Sequence, residues 1–270
     1  MEDTYIKWLN KGHKSPYQGF RWKPGEWVEA HGKLVGCQNG IHVTGLYESF
    51  DWFSDEAWLV EVDGESFWHE ESKLVCRRAR LVERLPWDER IARLFAVDCA
   101  EHVLANFVQQ YPHDPRPLQA IATARRFADG KASVVKLNAA QSAARYAARS
   151  VTRSVTRYAA ESAARSAAPS AANNAAQYAA QYAAESAGWS AAESAKSAAQ
   201  STARYATWSA ADSTARSAAP SPTNNKARYA TWSAAQSAIR SAGRSAERQW
   251  QADLLGKTLG IESYIPKEGG

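Results

Sequence analysis

Along the first 85 residues apolar and polar positions alternate in short runs, and from position 88 the apolar ones recur at spacings of three and four. From Ala139 to about Ser245 a four-residue word, Ala-Ala-polar-Ser/Tyr, repeats with few interruptions. The first pattern predicts strands and the other two predict helices. Trp58-Leu-Val-Glu-Val-Asp63 places Trp58, Val60 and Val62 on one face of a strand and Leu59, Glu61 and Asp63 on the other. Runs at Tyr17–Trp22 and Glu26–Glu29 are separated by the turn Lys23-Pro24-Gly25. Asn39-Gly40 between Leu34–Cys37 and Ile41–Thr44 is a hairpin signal. Lys73–Val82 reads as a long last strand. The result is a small, aromatic-rich, mainly antiparallel sheet.

Ile91, Leu94, Phe95, Cys99, Val103, Leu104 and Phe107 mark an amphipathic helix from Asp88 to near Tyr111, stopped by Pro112, Pro115 and Pro117. A second helix, Leu118 to Ala128, ends at Asp129-Gly130, where Gly suits a left-handed cap. Beyond it, Ala has the best helix propensity, so the repeat is expected to be helical. Ser166–Ala179 and Ser217–Ala230 are related blocks carrying Pro169 and Pro220, and Ala203–Ala211 recurs identically at Ala227–Ala235. Prolines at these places predict corners between three helices, roughly 132–168, 175–218 and 226–256. A period of four exceeds the 3.6-residue turn. A stripe of that period stays against its partner only with a right-handed wrap, and the three-residue word Ala195-Lys-Ser197 resets part of the drift.

The fold class expected is therefore α+β: a small mainly antiparallel sheet domain (1–86), a connecting helical hairpin (87–130), an Ala-rich all-α repeat bundle (131–256) and a C-terminal tail (257–270). Charge divides along the chain, with 16 Lys/Arg against 20 Asp/Glu in residues 1–130 and 17 against 8 thereafter. Seven of the 11 Trp also lie in the first part, which can fill a core. Cys37, Cys76 and Cys99 are an odd number without Cys-x-x-Cys spacing, which fits a reducing compartment better than a disulfide framework or a zinc knuckle. No apolar run approaches the roughly 20 residues of a membrane helix, and the N-terminus lacks the apolar stretch of a signal peptide. A cytoplasmic protein without a membrane partner is expected.

Candidate chemistry is sparse. His42, on the strand after Cys37, has no partner at a recognised metal spacing and reads as a partly buried histidine bonded to neighbouring backbone. Glu61 and Asp63 share a strand face, as acid–base carboxylates or as an exposed polar face. No phosphate loop, nucleophile elbow or Ser/His/Asp set is present. In the repeat, Tyr and Trp either fill gaps between Ala-rich helices or form a binding face with Arg, since these types dominate interface hot spots. Arg145, Arg149, Arg153, Arg157 and Arg165 recur at multiples of four. Glu161, Glu185, Glu193 and Asp212 occupy the same slot, which weighs against a nucleic-acid groove and for a solvated stripe.

Tyr17-x-Gly-Phe, Pro24-Gly-x-Trp, Leu34-Val-x-Cys, Gly40-Ile-His and Val60-Glu-Val-Asp-Gly64 together resemble an uncharacterised phage and bacterial domain family with a Cys-x-x-Gly-Phe/Ile-His core. Phe95-Ala-Val-Asp-Cys-Ala-Glu-His-Val103, followed by Asp114-Pro-Arg-Pro-Leu-Gln-Ala-Ile121 and the Ala-rich tail, is similar to immunity proteins of bacterial toxin and defence loci. The resemblance implies a part in phage or bacterial conflict. Tyr17-Gln-Gly19 and Gly40-Ile-His-Val-Thr44 also look somewhat like the NAD-contacting strands of ADP-ribosyltransferases, although no clear motif surrounds Glu61 or Glu83.

These readings lead to a non-enzymatic, phage-encoded interaction protein that needs no cofactor or metal. It binds a host or defence protein, or a second copy of itself, through a rigid helical arm. The partner-binding set is Arg145, Tyr146, Arg149, Tyr178, Tyr182, Trp189, Tyr205, Trp208, Tyr229 and Trp232. The alternatives are an NAD-dependent transferase using Tyr17, His42, Glu61 and Glu83, sequestration of a nucleotide or other small molecule between Tyr- and Trp-lined helices, and nucleic-acid binding by the arm.

Overall fold

The computed structural model describes residues 4–70, 72–169, 171–214 and 223–261, except for the side chains of 192, 195–214 and 223–236. It is an α+β protein, an antiparallel sheet followed by a helical region. Strands β4 (Glu56–His69) and β5 (Lys73–Arg84) form the long central hairpin, with register shifts after Leu59 and after Asp63. Gly64, at φ 80°, sits in the second irregularity, where a left-handed residue is needed. Strand β1 (Tyr5–Leu9) pairs with β4, while β2 (Val28–Glu29) and β3 (Ile41–Val43) share the far edge of β5. Ile6 and Thr44 then exchange backbone hydrogen bonds of 2.7 and 2.9 Å. The sheet thus curls until β1 meets the chain leaving β3. Inside the curl lie Leu9, Trp22, Val43, Trp58, Val60, Cys76 and Leu81, which confirms the expected inward face of β4.

Three expectations for this region change. β1 was not anticipated, because its Ile6, Trp8 and Leu9 are all buried, two of them adjacent, and so break strict alternation. Tyr17–Trp22 is a loop rather than a strand. Leu34–Cys37 forms no hairpin across Asn39-Gly40, because Val35 pairs with Asn39 itself and Ile41 pairs with Cys76 on β5. The Asn39 side-chain amide donates to the carbonyls of His31 and Lys33, and Cys37 turns at φ 62°, so the segment closes as a tight loop. Glu56 organises the loop after β1. Its carboxylate accepts from the Gly12 amide (3.1 Å), His13 Nδ1 (2.7 Å) and Trp58 Nε1 (3.2 Å). Burial alone would raise the Glu56 carboxyl, but these donors outweigh it and hold it below its ordinary value.

The helices are α1 (Glu89–Val103), α2 (Ala105–Val108), α3 (Arg116–Ala128), α4 (Val134–Ser150), α5 (Ser154–Ser166), α6 (Ala172–Thr214) and α7 (Thr223–Thr258). Asp88 caps α1 by accepting from the Ile91 amide at 2.8 Å. Gly130 takes the expected left-handed conformation after α3, at φ 70°. The first repeat helix, expected to run unbroken, is interrupted at Val151-Thr152-Arg153, where Val151 is extended and two β-branched residues replace the Ala doublet. The chain does turn at Pro169. Buried Arg93 of α1 reaches that corner and donates to the Ala168 carbonyl at 3.1 Å. The corner predicted at Pro220, the reset at Ala195–Ser197 and residues 262–270 of the tail lie outside what the structure describes, wholly or in their side chains.

Helix α1 runs through the middle of the helical layer, touching α3, α5, α6 and α7. One end of α1 meets the sheet through an aromatic cluster in which Trp87 lies 5.2 Å from Trp8, 4.9 Å from Phe53 and 6.1 Å from Phe95. Trp87 Nε1 is shared between the Ser54 carbonyl and Asn173 Oδ1, each at 3.0 Å, which ties the sheet to the start of α6. Around α1 the Ala doublets face inward word after word: Ala159, Ala160, Ala163 and Ala164 on α5, and Ala175, Ala176, Ala179, Ala180 and Ala183 on α6. Each methyl contributes about 0.8 kcal/mol at most, so cohesion rests on many close backbones. Buried Ser hydroxyls stitch them, Ser162 to the Ala179 carbonyl (2.8 Å) and Ser186 to that of Val155 (2.9 Å). Where α6 crosses α7, a Cβ on Gly243 would lie 2.7 Å from that of Ala191 and 3.1 Å from the Ala187 carbonyl. These two helices therefore touch at bare backbone.

A polar cluster fills the seam between α1 and α7. The His102 ring stacks on Trp250 at 3.7 Å, and its Nε2 is 3.2 Å from Glu247 Oε2. Gln251 donates to Glu247 and to the Ala180 carbonyl. Burial lifts the Glu247 carboxyl to about 7, partly opposed by the Gln251 donor, and burial lowers His102. The contact is within salt-bridge distance, yet both shifts favour neutral groups. Burial thus disfavours full charge separation across this contact.

Candidate functional site

The described repeat aromatics divide: Tyr146 and Tyr178 are 63% and 43% exposed, while Tyr158, Tyr182 and Trp189 are half-buried. Helix α5 supplies Arg157, Tyr158 and Arg165, and antiparallel α6 supplies Tyr178, Tyr182 and Trp189. The Arg165 guanidinium lies 5.2 Å from the Tyr178 ring and 5.3 Å from that of Tyr182, while Tyr182 is 6.0 Å from Tyr158. Arg165 Nε is buried without a hydrogen-bond partner among the described residues. Further along, Arg240 covers Trp189 at 4.5 Å, Arg244 pairs with Glu185 at 3.1 Å and Arg153 approaches Glu193 at 3.9 Å. The face is thus a strip of stacked Tyr and Arg flanked by ion pairs. It combines large rigid rings with cations set over them.

Of the residues expected to bind a partner, Tyr178 and Tyr182 join this strip directly and Trp189 extends it. Arg145, Tyr146 and Arg149 stand on α4. The side chains of Tyr205, Trp208, Tyr229 and Trp232 lie outside the described residues. Arg165 and Tyr158 complete the cluster, although the sequence placed them only in the Arg stripe and the aromatic set. Their signal was reflection about the corner at Pro169. Val155 meets Ser186, Tyr158 meets Tyr182 and Ser162 meets Ala179, all pairs nearly equidistant from residues 170–171.

The four residues of the transferase alternative are dispersed. Tyr17 and His42 line a cavity of about 670 Å³ on the sheet, and Glu61 and Glu83 do not. Glu61 is instead paired with Arg80, next to Asp63 with Arg78 (2.7 Å) and Glu65 with Arg77 (2.7 Å), a ladder of cross-strand ion pairs. Trp27 lies under both Arg78 and Arg80, at 4.7 and 4.9 Å. The shared strand face is therefore an ion-paired polar surface. His42 is half-buried, as expected. Its Nε2 accepts the Cys37 amide at 3.3 Å, and burial, followed by the charges of Lys7, Lys73 and His69, pulls its pKa to about 4. No group of three or more His, Cys, Asp or Glu suited to a metal occurs among the described residues. No described helix is long and apolar enough to cross a membrane.

Fold and surface thus define an α+β protein whose helical layer presents a sequence-specific Tyr–Arg strip. Residues 87–211, from Trp87 into α6, match the family model described as "Imm-5 like putative immunity protein". Residues 4–93 match a second model, a domain of unknown function, DUF7666. The two matches overlap at 87–93, where α1 leaves the aromatic cluster. No curated protein and no solved structure matches the chain. The immunity-family match points to a role in protein interaction.

Proposed function

We propose that the protein is an immunity-type binding protein that occupies a surface of a toxin through the Tyr–Arg strip of α5 and α6, in the setting of phage or bacterial conflict. The carrying observation is the Arg165 guanidinium, which lies over both the Tyr178 and the Tyr182 ring, at 5.2 and 5.3 Å. A carboxylate or carbonyl from a partner bonds the outer nitrogens of that guanidinium, Nε itself being buried, and the rings exclude water around it. The family match over 87–211 supports a toxin as the partner class. The strip gives shape and hydrogen bonding without a reactive group, so binding rather than turnover is the action.

The test is co-expression with any toxin encoded in a neighbouring gene. The whole chain should restore growth and co-elute with the toxin as a complex. Arg165→Ala combined with Tyr178→Ala should weaken binding at least tenfold, because hot-spot truncations cost about 2 kcal/mol or more each. Tyr146→Ala on α4 is the exposed control. A complex indifferent to the α5–α6 changes would move the interface elsewhere, and failure to bind any neighbouring toxin would remove the reading.

A further inference from the structure

The cavity on the sheet is lined by two lysines, and among the described residues neither has a carboxylate partner. Lys7, on β1, donates to the His42 carbonyl at 2.6 Å and lies over the Trp22 ring at 5.4 Å. Lys73, at the start of β5 and 8% exposed, donates to Cys37 Sγ at 3.1 Å and lies over the Trp52 ring at 4.5 Å. Neither ammonium is ion-paired among the described residues. The acidic residue in the lining, Glu29, lies 3.9 Å from Arg78. Buried charges are ordinarily paired, because removing an ammonium from water costs several kcal/mol that carbonyl, thiol and ring contacts recover only in part. Burial pulls Lys7 down to about 8, opposed by Cys76, which fits an ammonium held without a counter-ion.

The remaining lining is mixed, and its aromatic part is Tyr17, Phe20, Trp22 and Trp52. Trp22 forms the floor, its indole fixed by a 2.9 Å bond to Ser15 Oγ. Trp52 is fixed by the Ser72 carbonyl at 3.2 Å, and Tyr17, 83% exposed, leans edge-on to it at 6.3 Å. With its Nε2 occupied by the Cys37 amide, neutral His42 keeps Nδ1–H as a donor. We infer that this cavity binds a small organic anion carrying a flat ring, with its charge between Lys7 and Lys73 and its ring against Trp22, Trp52 and Tyr17. The inference is independent of the toxin-binding strip, which lies on other elements.

Cys37 supplies a probe already in place, since it is exposed while Cys76 and Cys99 are buried. Iodoacetate and iodoacetamide form the same carbon–sulfur bond and release the same iodide, differing in charge. The ratio of their alkylation rates at Cys37 of the whole native chain, referred to N-acetylcysteine, reads the anion preference of the cavity. A ratio raised about tenfold is expected, the scale of one partly screened ion pair. It should be kept in Lys73→Arg and should collapse in both Lys73→Met and Lys7→Met. Circular dichroism of each variant reports folding, and the wild-type ratio stands without any variant. A wild-type ratio equal to that of the free thiol would overturn the anion site. For the ring, nicotinate should slow alkylation by iodoacetamide at least threefold more than acetate or nicotinamide at equal concentration. Protection by acetate as strong as by nicotinate would remove the ring from the proposal, and protection by nicotinamide as strong would remove the charge.

Discussion

Replacing Gly243 by Ala should destabilise the protein although Ala is the better helix former. In an exposed helix interior the exchange gains about 1 kcal/mol. At Gly243 the added methyl would meet Ala191 Cβ at 2.7 Å, the Ala187 carbonyl at 3.1 Å and Gly188 Cα at 3.1 Å. Carbon atoms settle about 3.5–4.0 Å apart, so α7 must retreat by about 1 Å. Inserting a methyl into a tight seam costs about 1–3 kcal/mol. The net expectation is a loss of up to about 2 kcal/mol. At roughly 2–4 °C per kcal/mol for a chain of this size, the melting temperature falls by several degrees. Urea denaturation of Gly243→Ala should be compared with Ala238→Gly, an exposed site on the same helix that reports propensity alone. Pairing Gly243→Ala with Ala191→Gly restores room and should recover part of the loss, which a double-mutant cycle measures. A Gly243→Ala protein stabilised by about 1 kcal/mol, with no coupling to position 191, would show that α6 and α7 are not in backbone contact there.

Glu247→Gln should raise stability at pH 8 by about 2–3 kcal/mol and change little at pH 4. The folded carboxyl, at about 7, binds its proton more tightly than the unfolded one, so its contribution is full below the ordinary value near 4.5 and lost as pH rises through 7. Equal effects at both pH values in chemical denaturation would contradict this sign. Trp87→Phe leaves the Ser54 carbonyl and Asn173 Oδ1 without their donor and should cost about 2–3 kcal/mol, against about 1 for Asn173→Ala. Equal losses would mean the indole N–H matters only toward α6. Glu56→Gln should speed amide hydrogen exchange at Gly12 by about tenfold or more, with β4 amides little affected. Unchanged exchange at Gly12 would show that the loop is held by something else.

The sequence revealed a good deal of the fold because its periods are long and regular. A repeat of Ala words leaves helix as the only economical conformation, and Pro169 announces its own corner. The alternation at Trp58–Val62 likewise gave the inward face of β4. What escaped was local competition. Val151-Thr152 ended a helix that composition alone would have continued. Cys37 and Asn39 closed a tight loop where Asn39-Gly40 signalled a hairpin. The Tyr–Arg strip was half legible, since residue types predicted a binding face while Arg165 and Tyr158 joined it only through antiparallel pairing across a corner. The unpaired lysines of the cavity were not legible at all. Lys7 and Lys73 are 66 positions apart in sequence and meet one cavity only because the sheet curls back on β1.

The alanine interior also separates two kinds of change. A side chain already reduced to one methyl has almost nothing left to lose, and a contact at bare backbone tolerates almost nothing added, so inward positions are close to frozen. The outward slot of each word is bound by no such limit and can pass among Arg, Glu, Gln and Tyr while the helices stay seated. Such a surface can be rewritten letter by letter while the scaffold stays as it was.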